Sequence, residues 1–409
     1  MTDRSFIKCE VCGSVIMVRT QVGWLPNHPI RIHCAKCGIL ISGECIQDQE
    51  NADLSIHFEN AVRLDPQNID VGDVGYYIEV SGELLTSKIR PFNNEKDEYQ
   101  PPPFFKTLWA MDNEKHESFS KFKSSVLQFL YFTKNDWPFI RRIHELWLSK
   151  KYEYLPTQMR EYLPSDMFPL SNEMEYLRGI HQLFLMGFSP VLQKHFFDTI
   201  TKSIWENISE VVNAEPRGCI ALTEFFVSSG LLDDYESRVL KILNTFVDKY
   251  PFFITIIGLD CYKETPDLIH KGTTTVSFED VSHFYLDCFE AIGEIITLIV
   301  AYNNLKYRND FNAMPSSSFS KIVTLRHFID KMQNKGNRIK FCETNEIFNQ
   351  IIGLDADNGL RNAIGHGSYS YDGINQVVSY YSSGKQEKKH KRTYIWLSSS
   401  KKHGHNFKP

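Results

Sequence analysis

The sequence predicts a mainly α-helical chain that begins with a small β domain and ends in a helical bundle followed by a β-hairpin. Three observations support this prediction. Through residue 92, short runs such as SVIMVRT and VGYYIEVSGELL are rich in β-branched and aromatic residues and are separated by Gly, Pro, Asn and Asp. From Lys106 onward, apolar residues recur at the spacing of one helix face. Near the C-terminus, YSYDGINQVVSYY alternates around Asp372 and Gly373, as a hairpin does.

Length and composition indicate an ordinary globular protein. The chain has 409 residues, of which 42% are hydrophobic and 23% charged, so two or three compact units are expected. The longest apolar stretch, AIGEIITLIVAY, is short and carries Glu294, and the start, MTDRSFIKCE, has no apolar core. We therefore expect neither a membrane span nor a signal peptide. Nine cysteines without a disulfide-like framework favour a reducing, cytoplasmic location.

The elements divide into five predicted segments. Residues 1–92 form the β domain, and 93–104, which include the run PPP, form a linker because proline continues neither a helix nor a central strand. An all-helical middle domain covers 105–270, where Trp137, Trp147 and Trp205 occur at helical spacing and are expected in the core. Residues 275–384 form a helical bundle with the hairpin, and 385–409 form a basic tail.

Four amphipathic segments make up the predicted bundle. The first opens at Ser277, which forms a capping box with Asp280, and runs through SFEDVSHFYLDCFEAIGEIITLIVAYNNLKY. The segments PSSSFSKIVTLRHFIDKMQNK, TNEIFNQIIGL and DNGLRNAIGHG follow after loops of modest length. This order is typical of a four-helix bundle.

The tail concentrates positive charge on an otherwise acidic chain. Residues 385–409 contain seven Lys and Arg392 against Glu387, whereas the whole chain has a net charge of -5. Two interpretations fit: a solvated, partly disordered end, which is the commoner case and which we favour, or an arm that contacts RNA.

Two cysteine pairs predict a metal centre. Cys9 and Cys12 form one pair, Cys34 and Cys37 form the other, 21 residues separate the two pairs, and each has the form C-x-x-C-G. Two such turns supply four thiolates for one tetrahedral zinc ion, and the spacing within a β context favours a zinc ribbon over disulfides or a redox C-x-x-C. Cys45 has no partner at this spacing, and His33 would ligate only in place of a cysteine. A closed four-sulfur site is structural, so no metal chemistry is expected there.

The segment RNAIGHG, residues 361–367, groups a second set of candidate residues. Arg361 and His366 are five positions apart, which places them about 140° apart on a continuous helix. Glycine ends helices in left-handed conformations, so we expect Gly365 and Gly367 to let His366 fold back towards Arg361 and Asn362.

The three side chains suit cleavage of RNA. Imidazole can take the proton of a ribose 2′-hydroxyl near neutral pH, arginine binds the phosphate, and asparagine orients either group. Ser368, Tyr369 and Tyr371 follow directly and are candidates for substrate contacts through hydrogen bonds or base stacking.

In this setting GLRNAIGHGSYSYDG resembles the HEPN superfamily, named for higher eukaryotes and prokaryotes nucleotide-binding, and its bacterial defence and abortive-infection members. The resemblance covers residues 277 to about 382. It implies catalytic Arg361 and His366 with supporting Asn362, and RNA products that end in 2′,3′-cyclic phosphate without any metal in the chemistry. It also implies a homodimer, formed through the C-terminal bundle, that brings two motifs into one cleft. A departure is the lysine-rich tail, since family bundles usually continue with another helix.

The sequence therefore favours an endoribonuclease of anti-phage defence or toxin-like growth arrest, with an N-terminal zinc ribbon and a phage or host trigger. An alternative is a non-catalytic adapter whose bundle only dimerises while the ribbon binds nucleic acid or protein. A DNA-binding regulator is weaker, because no helix-turn-helix or basic recognition helix accompanies the ribbon.

Overall fold

A computed structural model describes most of the chain. The described residues are 2–48, 51, 53–97, 100–109, 113–191, 194–262, 267–315, 321–341, 357–381 and 391–395. The predicted helix TNEIFNQIIGL and all of the basic tail except 391–395 lie outside these ranges.

Helices make up most of the described structure and confirm the mainly α prediction. Their bounds are α1 Asn94–Asp97, α2 Pro103–Trp109, α3 Asn113–Asn135, α4 Trp137–Leu148, α5 Leu155–Met159, α6 Glu173–Phe188, α7 Lys194–Ala214, α8 Pro216–Ser228, α9 Leu231–Ile257, α10 Phe278–Arg308, α11 Leu325–Lys331, α12 Lys335–Lys340 and α13 Asn358–Gly365.

Strands occupy the N-terminal part and return near the C-terminus. Their bounds are β1 Thr2–Cys9, β2 Val15–Gln21, β3 Asn27–His33, β4 Leu40–Asp48, β5 Asp53–Glu59, β6 Ala61–Leu64, β7 Val74–Ser81, β8 Thr86–Ser87, β9 Arg90–Pro91, β10 Lys271–Gly272, β11 Tyr369–Asp372, β12 Val377–Tyr381 and β13 Lys391–Ile395. They form sheets of order β6-β1-β2-β7-β9, β3-β4-β5, β11-β12-β13 and β10-β8.

The chain folds into two compact units, each assembled from separate stretches of sequence. We call residues 1–127, 248–283 and 359–402 the ribbon unit, and residues 128–247, 284–358 and 403–409 the helical unit. These units differ from the predicted segments, because α3, α9 and α10 each begin in one unit and end in the other. Sequence periodicity detects such a continuous helix but does not indicate which core each half joins.

Two antiparallel hairpins open the ribbon unit, and each turns through one cysteine pair. Strand β1 pairs with β2 out to Lys8 and Val15, and β3 pairs with β4 out to His33 and Leu40. Inward-facing residues of these strands and of β7 form one apolar core. Its fully buried members are Ile7, Cys9, Ile16, Val18, Ile30, Cys34, Ile41, Cys45 and Val80. The predicted N-terminal β domain is thereby confirmed.

Long helix α10 begins and ends as local chemistry requires. At its start the Ser277 backbone N–H donates to the Asp280 carboxylate at 3.0 Å, and the Asp280 N–H donates to the Ser277 hydroxyl at 3.3 Å. This reciprocal pair confirms the predicted capping box. The helix stops at Arg308 because Asn309 follows with a left-handed φ of 56°.

Aromatic side chains fill much of the helical unit, but not in every predicted case. Trp137 is buried among Phe132, Phe184 and Phe188. Trp147 donates its indole N–H to Glu236 at 2.8 Å. Trp205, expected in the core, is 70% exposed. Helical spacing alone indicates a shared helix face but not whether anything covers it.

The predicted hairpin is present and gains a third strand. Tyr369 pairs with Tyr380 and Asp372 with Val377, so residues 373–376 connect β11 to β12. The Asp372 carboxylate closes this connection by accepting from the Ile374 and Asn375 backbone N–H groups. Strand β13 then pairs with β12. Residues 391–395 of the basic tail are therefore β structure, since the β-prone run KRTYI pairs with the open edge of β12.

The four segments of the predicted bundle are only partly described. Helix α10 spans the first predicted segment, and α13 corresponds to the fourth. Where a single second helix was predicted, the structure has two shorter helices, α11 and α12. From Gly359 onward α13 belongs to the ribbon unit. Packing of the four segments as one HEPN-like bundle stays a prediction.

Candidate metal centre and the RNAIGHG segment

The first cysteine pair lies on a tight turn between β1 and β2. The Cys9 N–H donates to the Ser14 carbonyl at 3.0 Å, and the Gly13 N–H donates to the Cys9 carbonyl at 2.9 Å. Gly13 has a left-handed φ of 71°, which glycine adopts without the cost that a Cβ imposes. The turn therefore presents the two thiols on the same side.

The second pair repeats this turn between β3 and β4. The Cys34 N–H donates to the Ile39 carbonyl at 2.9 Å, the Gly38 N–H donates to the Cys34 carbonyl at 2.8 Å, and Gly38 has φ 76°. Equal spacing in the sequence thus produces equal backbone geometry, and both glycines of the C-x-x-C-G motifs are required by it.

The two turns bring four sulfur atoms together. All four Sγ atoms lie within 4.8 Å of one another, with Cys9 to Cys37 at 3.7 Å and Cys12 to Cys34 at 3.6 Å. Metal–sulfur bonds of about 2.3 Å in a tetrahedron give sulfur–sulfur edges of about 3.8 Å. These separations exclude disulfide bonds, and the cysteines are free. Cys9, Cys12, Cys34 and Cys37 are therefore positioned to bind a metal such as zinc, as predicted.

Hydrogen bonds and burial shift the pKa values of Cys12 and Cys37 in opposite directions. The Ser14 hydroxyl, 3.2 Å from the Cys12 sulfur, lowers the pKa of Cys12 to about 6. The Ile39 backbone N–H lowers the pKa of Cys37, but burial and the neighbouring thiols outweigh it and raise that pKa to about 12. Four thiolates cannot coexist so closely near neutral pH unless a metal ion balances their charge.

Two nearby residues lie outside the cluster of four in the described part of the chain. Cys45 is completely buried in the ribbon core and does not join the cluster of four among the described residues; burial raises its pKa to about 12. The His33 ring lies with Nδ1 at 3.0 Å from the Gly38 carbonyl oxygen. The His33 side chain thus contacts the backbone of the second turn.

The RNAIGHG segment ends the short helix Asn358–Gly365, which we call the motif helix. The Gly367 N–H donates to the Ile364 carbonyl at 3.1 Å, and the Ser368 N–H donates to the Ala363 carbonyl at 2.8 Å. Gly367 has φ 62°. This is a Schellman cap, and its glycine is the second one of the segment. Ala363 and Ile364 are buried, so the face of the motif helix that carries them points into the protein.

His366 does not fold back as the sequence analysis expected. Its N–H donates to the Asn362 carbonyl at 3.0 Å, so the helical pattern continues through the histidine and the chain reverses at Gly367. Arg361 and His366 therefore remain about 140° apart around the helix axis. Arg361 donates from Nη1 to the Asn362 side-chain oxygen at 3.0 Å. The structure joins Arg361 with Asn362 and leaves His366 exposed to solvent.

The three candidate substrate residues differ in exposure. Ser368 is exposed, whereas Tyr369 and Tyr371 are half-buried on one face of β11. Both rings contact Phe278, with centroid distances of 5.2 and 5.5 Å, and Tyr371 also meets the His33 ring edge-on at 5.7 Å. One side of each tyrosine is thus used in packing.

Three contacts, absent from the sequence analysis, fasten the hairpin within the ribbon unit. Gln376 pairs with the backbone of Thr273, donating to its carbonyl at 2.6 Å and accepting from its N–H at 3.2 Å. The Lys88 ammonium donates to the Asn375 carbonyl at 2.6 Å. At Gly373 any Cβ would lie 2.2 Å from His33 Nε2. Because these partners are far apart in sequence, no local pattern predicts them.

The fold and the cysteine cluster define a mainly α-helical protein with a ribbon-like, four-cysteine metal centre. Comparison with protein-family models, with curated proteins and with solved structures found no match to this chain. Among the helices of the described ranges, none combines the length and the apolar character that crossing a membrane requires.

Proposed function

We propose that this protein is a metal-independent endoribonuclease of the HEPN type that acts in bacterial anti-phage defence or toxin-like growth arrest. The main structural support for the proposal is the arrangement of side chains on the motif helix. It holds Arg361 and Asn362 as a hydrogen-bonded pair and exposes His366 at a glycine-capped end. The resemblance of RNAIGHG to the family motif supplies the assignment to RNA cleavage.

Each side chain then has a distinct task. His366 takes the proton from a ribose 2′-hydroxyl or gives one to the leaving 5′-oxygen, because imidazole exchanges protons near neutral pH. Arg361 stabilises the charge that develops on the phosphate, and Asn362 holds the guanidinium in place through the contact at 3.0 Å. The 2′-oxygen attacks phosphorus, the 5′-oxygen leaves, and a 2′,3′-cyclic phosphate results.

A second copy of the chain completes the proposed site. Residues about 140° apart on one helix face different directions, so Arg361 and His366 of one chain do not face a common phosphate. Two motif helices facing each other would supply an arginine from one chain and a histidine from the other. A homodimer is therefore part of the proposal, and activity should fall more steeply than protein concentration on dilution below the dimer dissociation constant.

The metal centre has a structural part in this proposal. Four cysteine ligands leave no open position for substrate or water, so a bound zinc ion would hold the ribbon without entering the reaction. Restraint of the nuclease by upstream regions, with release by a phage or host trigger, belongs to the same hypothesis. Removing the chain before residue 275 is a poor test of it, because the hairpin contacts His33, Lys88 and Thr273.

The decisive experiment measures cleavage of labelled single-stranded RNA and transfer RNA by the full chain, at an EDTA concentration that leaves the protein folded, with folding monitored in parallel. We expect His366→Ala and Arg361→Ala each to reduce the rate by at least about a hundredfold, the range for loss of a general acid–base or an oxyanion-stabilising group. The products of the wild type should end in 2′,3′-cyclic phosphate. Matched controls are His57→Ala and Arg326→Ala, exposed residues outside the motif that should leave the rate unchanged.

A non-catalytic adapter is the second candidate, and two observations favour it. Tyr369 and Tyr371 pack on Phe278, and the hairpin is fastened within the ribbon unit, so the motif also has a purely structural use. If the folded, dimeric wild type cleaves neither RNA, or if the motif variants cleave as fast as the controls, the adapter replaces the nuclease.

A further inference from the structure

A cleft in the helical unit lies apart from the metal centre and the motif. It has a volume of about 270 Å³ and is bounded by the end of α3, the start of α4, the turn at Tyr162 and the last part of α6. An engineered protein cavity of about 150 Å³ admits benzene, so this cleft has room for one ring with a short side chain. No step of the proposed RNA cleavage uses it.

The cleft combines an apolar floor with an aromatic rim. Phe132, Ile140 and Leu183 form the floor and are at most 6% exposed. Tyr131 and Met186 stand at the rim, and both are more than half exposed. Solvent-exposed tyrosine and methionine beside a hydrophobic floor are typical of small-molecule sites.

Asp136 supplies a carboxylate to this apolar surface. It occupies the N-cap position of α4, where an aspartate ordinarily accepts a hydrogen bond from the first helical turn. Here its backbone is helical, with φ -105° and ψ -36°, and its side chain makes no capping bond. The carboxylate instead accepts from the Tyr162 hydroxyl at 3.3 Å. An ionised carboxylate offers about four acceptor sites, so it retains capacity for a ligand.

Charge complementarity selects the ligand. Asp136 carries the sole formal charge among the described residues that line the cleft. Burial raises the pKa of Tyr162, and the negative charges of Asp136 and Glu161 add to that rise. The potential at this end of the cleft is therefore negative, and aromatic faces at the rim also attract cations.

We propose that the cleft binds a small aromatic cation, with its ammonium group on Asp136 and its ring over Phe132, Ile140 and Leu183. The test uses the full chain and four probes in calorimetric or NMR titrations: 2-phenylethylammonium, the neutral 2-phenylethanol, the anion phenylacetate, and N-acetyl-lysine methylamide. The last probe represents a lysine side chain of a partner protein. We expect the aromatic cation to bind at least about tenfold more tightly than the other three, since a charged hydrogen bond and ring burial act together.

Variants assign the binding to the cleft. Asp136→Asn should weaken binding of the aromatic cation by roughly ten- to a hundredfold, and Tyr131→Ala should weaken it by a few-fold. Asparagine is itself a good N-cap residue, so the first variant should fold. Asp166→Asn and Tyr154→Ala are exposed controls outside the lining and should bind as the wild type does.

Several results would overturn the proposal. Equal binding of the neutral and cationic probes would show that the cleft binds apolar rings without recognising a positive charge. Tighter binding of the lysine derivative would replace a small ligand with a partner side chain. Absence of binding at about 10 mM, a concentration at which even fragments of this size register, would remove the site.

Discussion

Glu83 is a buried acid whose protonation affects the stability of the ribbon unit. Its side chain is buried, and Oε1 accepts backbone N–H groups of Trp24 and Leu25. Burial raises the pKa of Glu83 to about 7, although the two N–H groups oppose this. Between about pH 4.5 and 7 the folded protein binds the proton that the unfolded chain has lost, so the stability from this group is lost as pH rises through that window.

The variant Glu83→Gln tests the direction of this pH dependence. The amide stays neutral, so its free energy of unfolding should exceed that of the wild type by up to about 3 kcal/mol at pH 8, and the difference should shrink towards pH 5. Urea unfolding at both pH values measures it, with Glu44→Gln, a change at an exposed side chain of strand β4, as control. Comparison with the wild type is necessary because His28, whose pKa burial lowers to about 4, acts oppositely over an overlapping range. A pH-independent difference would contradict the assignment.

Residue types that enforce a backbone conformation were readable from sequence. The two C-x-x-C-G pairs were expected to form turns and Gly367 to end a helix, and Gly13, Gly38 and Gly367 each have a left-handed φ. Which glycine of RNAIGHG ends the motif helix was not readable, because Gly365 and Gly367 carry the same local signal. The buried Ala363 and Ile364 settle it by holding the helix through Gly365.

The β11–β12 hairpin is the element on which the position of the motif depends. Gln376 supplies both a donor and an acceptor to the Thr273 backbone, and all of these groups are buried. The Gln376 side chain thus makes the two hydrogen bonds that the backbone of a neighbouring strand would otherwise make with Thr273. This arrangement connects the segment after RNAIGHG to β10 and the threonines around it.

Gln376→Ala should therefore destabilise the protein by about 2–4 kcal/mol, since two buried backbone groups lose their partners. Chemical denaturation followed by circular dichroism measures this. Gln333→Ala is the matched control: that exposed side chain donates to the Asp330 carbonyl and should cost about 0.5 kcal/mol or less. A cost at Gln376 no larger than at Gln333 would show that the hairpin is held by other contacts.

At the scale of the whole molecule, the ribbon unit collects chain segments that the sequence separates by more than two hundred residues. Its core includes Cys9 and Cys34, two of the four clustered cysteines. The hairpin meets the same unit through His33, the neighbour of Cys34 in the chain. Metal binding and the order of the motif hairpin should therefore be coupled.

Metal removal tests this coupling. Stripping the ion with a chelator, or changing Cys9 to serine, should abolish hydrogen-exchange protection in β1–β4 and also weaken it in β11 and β12, because structural metal binding contributes directly to folding. Helix α6 of the helical unit serves as the internal control and should keep its protection. Loss confined to β1–β4 would show that the hairpin is independent of the metal centre.

The sequence by itself determined the mainly helical character, the N-terminal β domain, the four cysteine positions, the capping box at Ser277 and the hairpin. These depend on neighbours within a few residues, so periodicity, turn chemistry and C-x-x-C spacing reveal them. Tertiary structure alone decided that each of the two units is assembled from separate stretches of sequence, that Trp205 is exposed, that part of the basic tail is a strand, and that Gln376, Lys88 and His33 fasten the hairpin. Each of these follows from contacts between distant segments, whose free energy depends on the packed fold and leaves no local signal in the sequence.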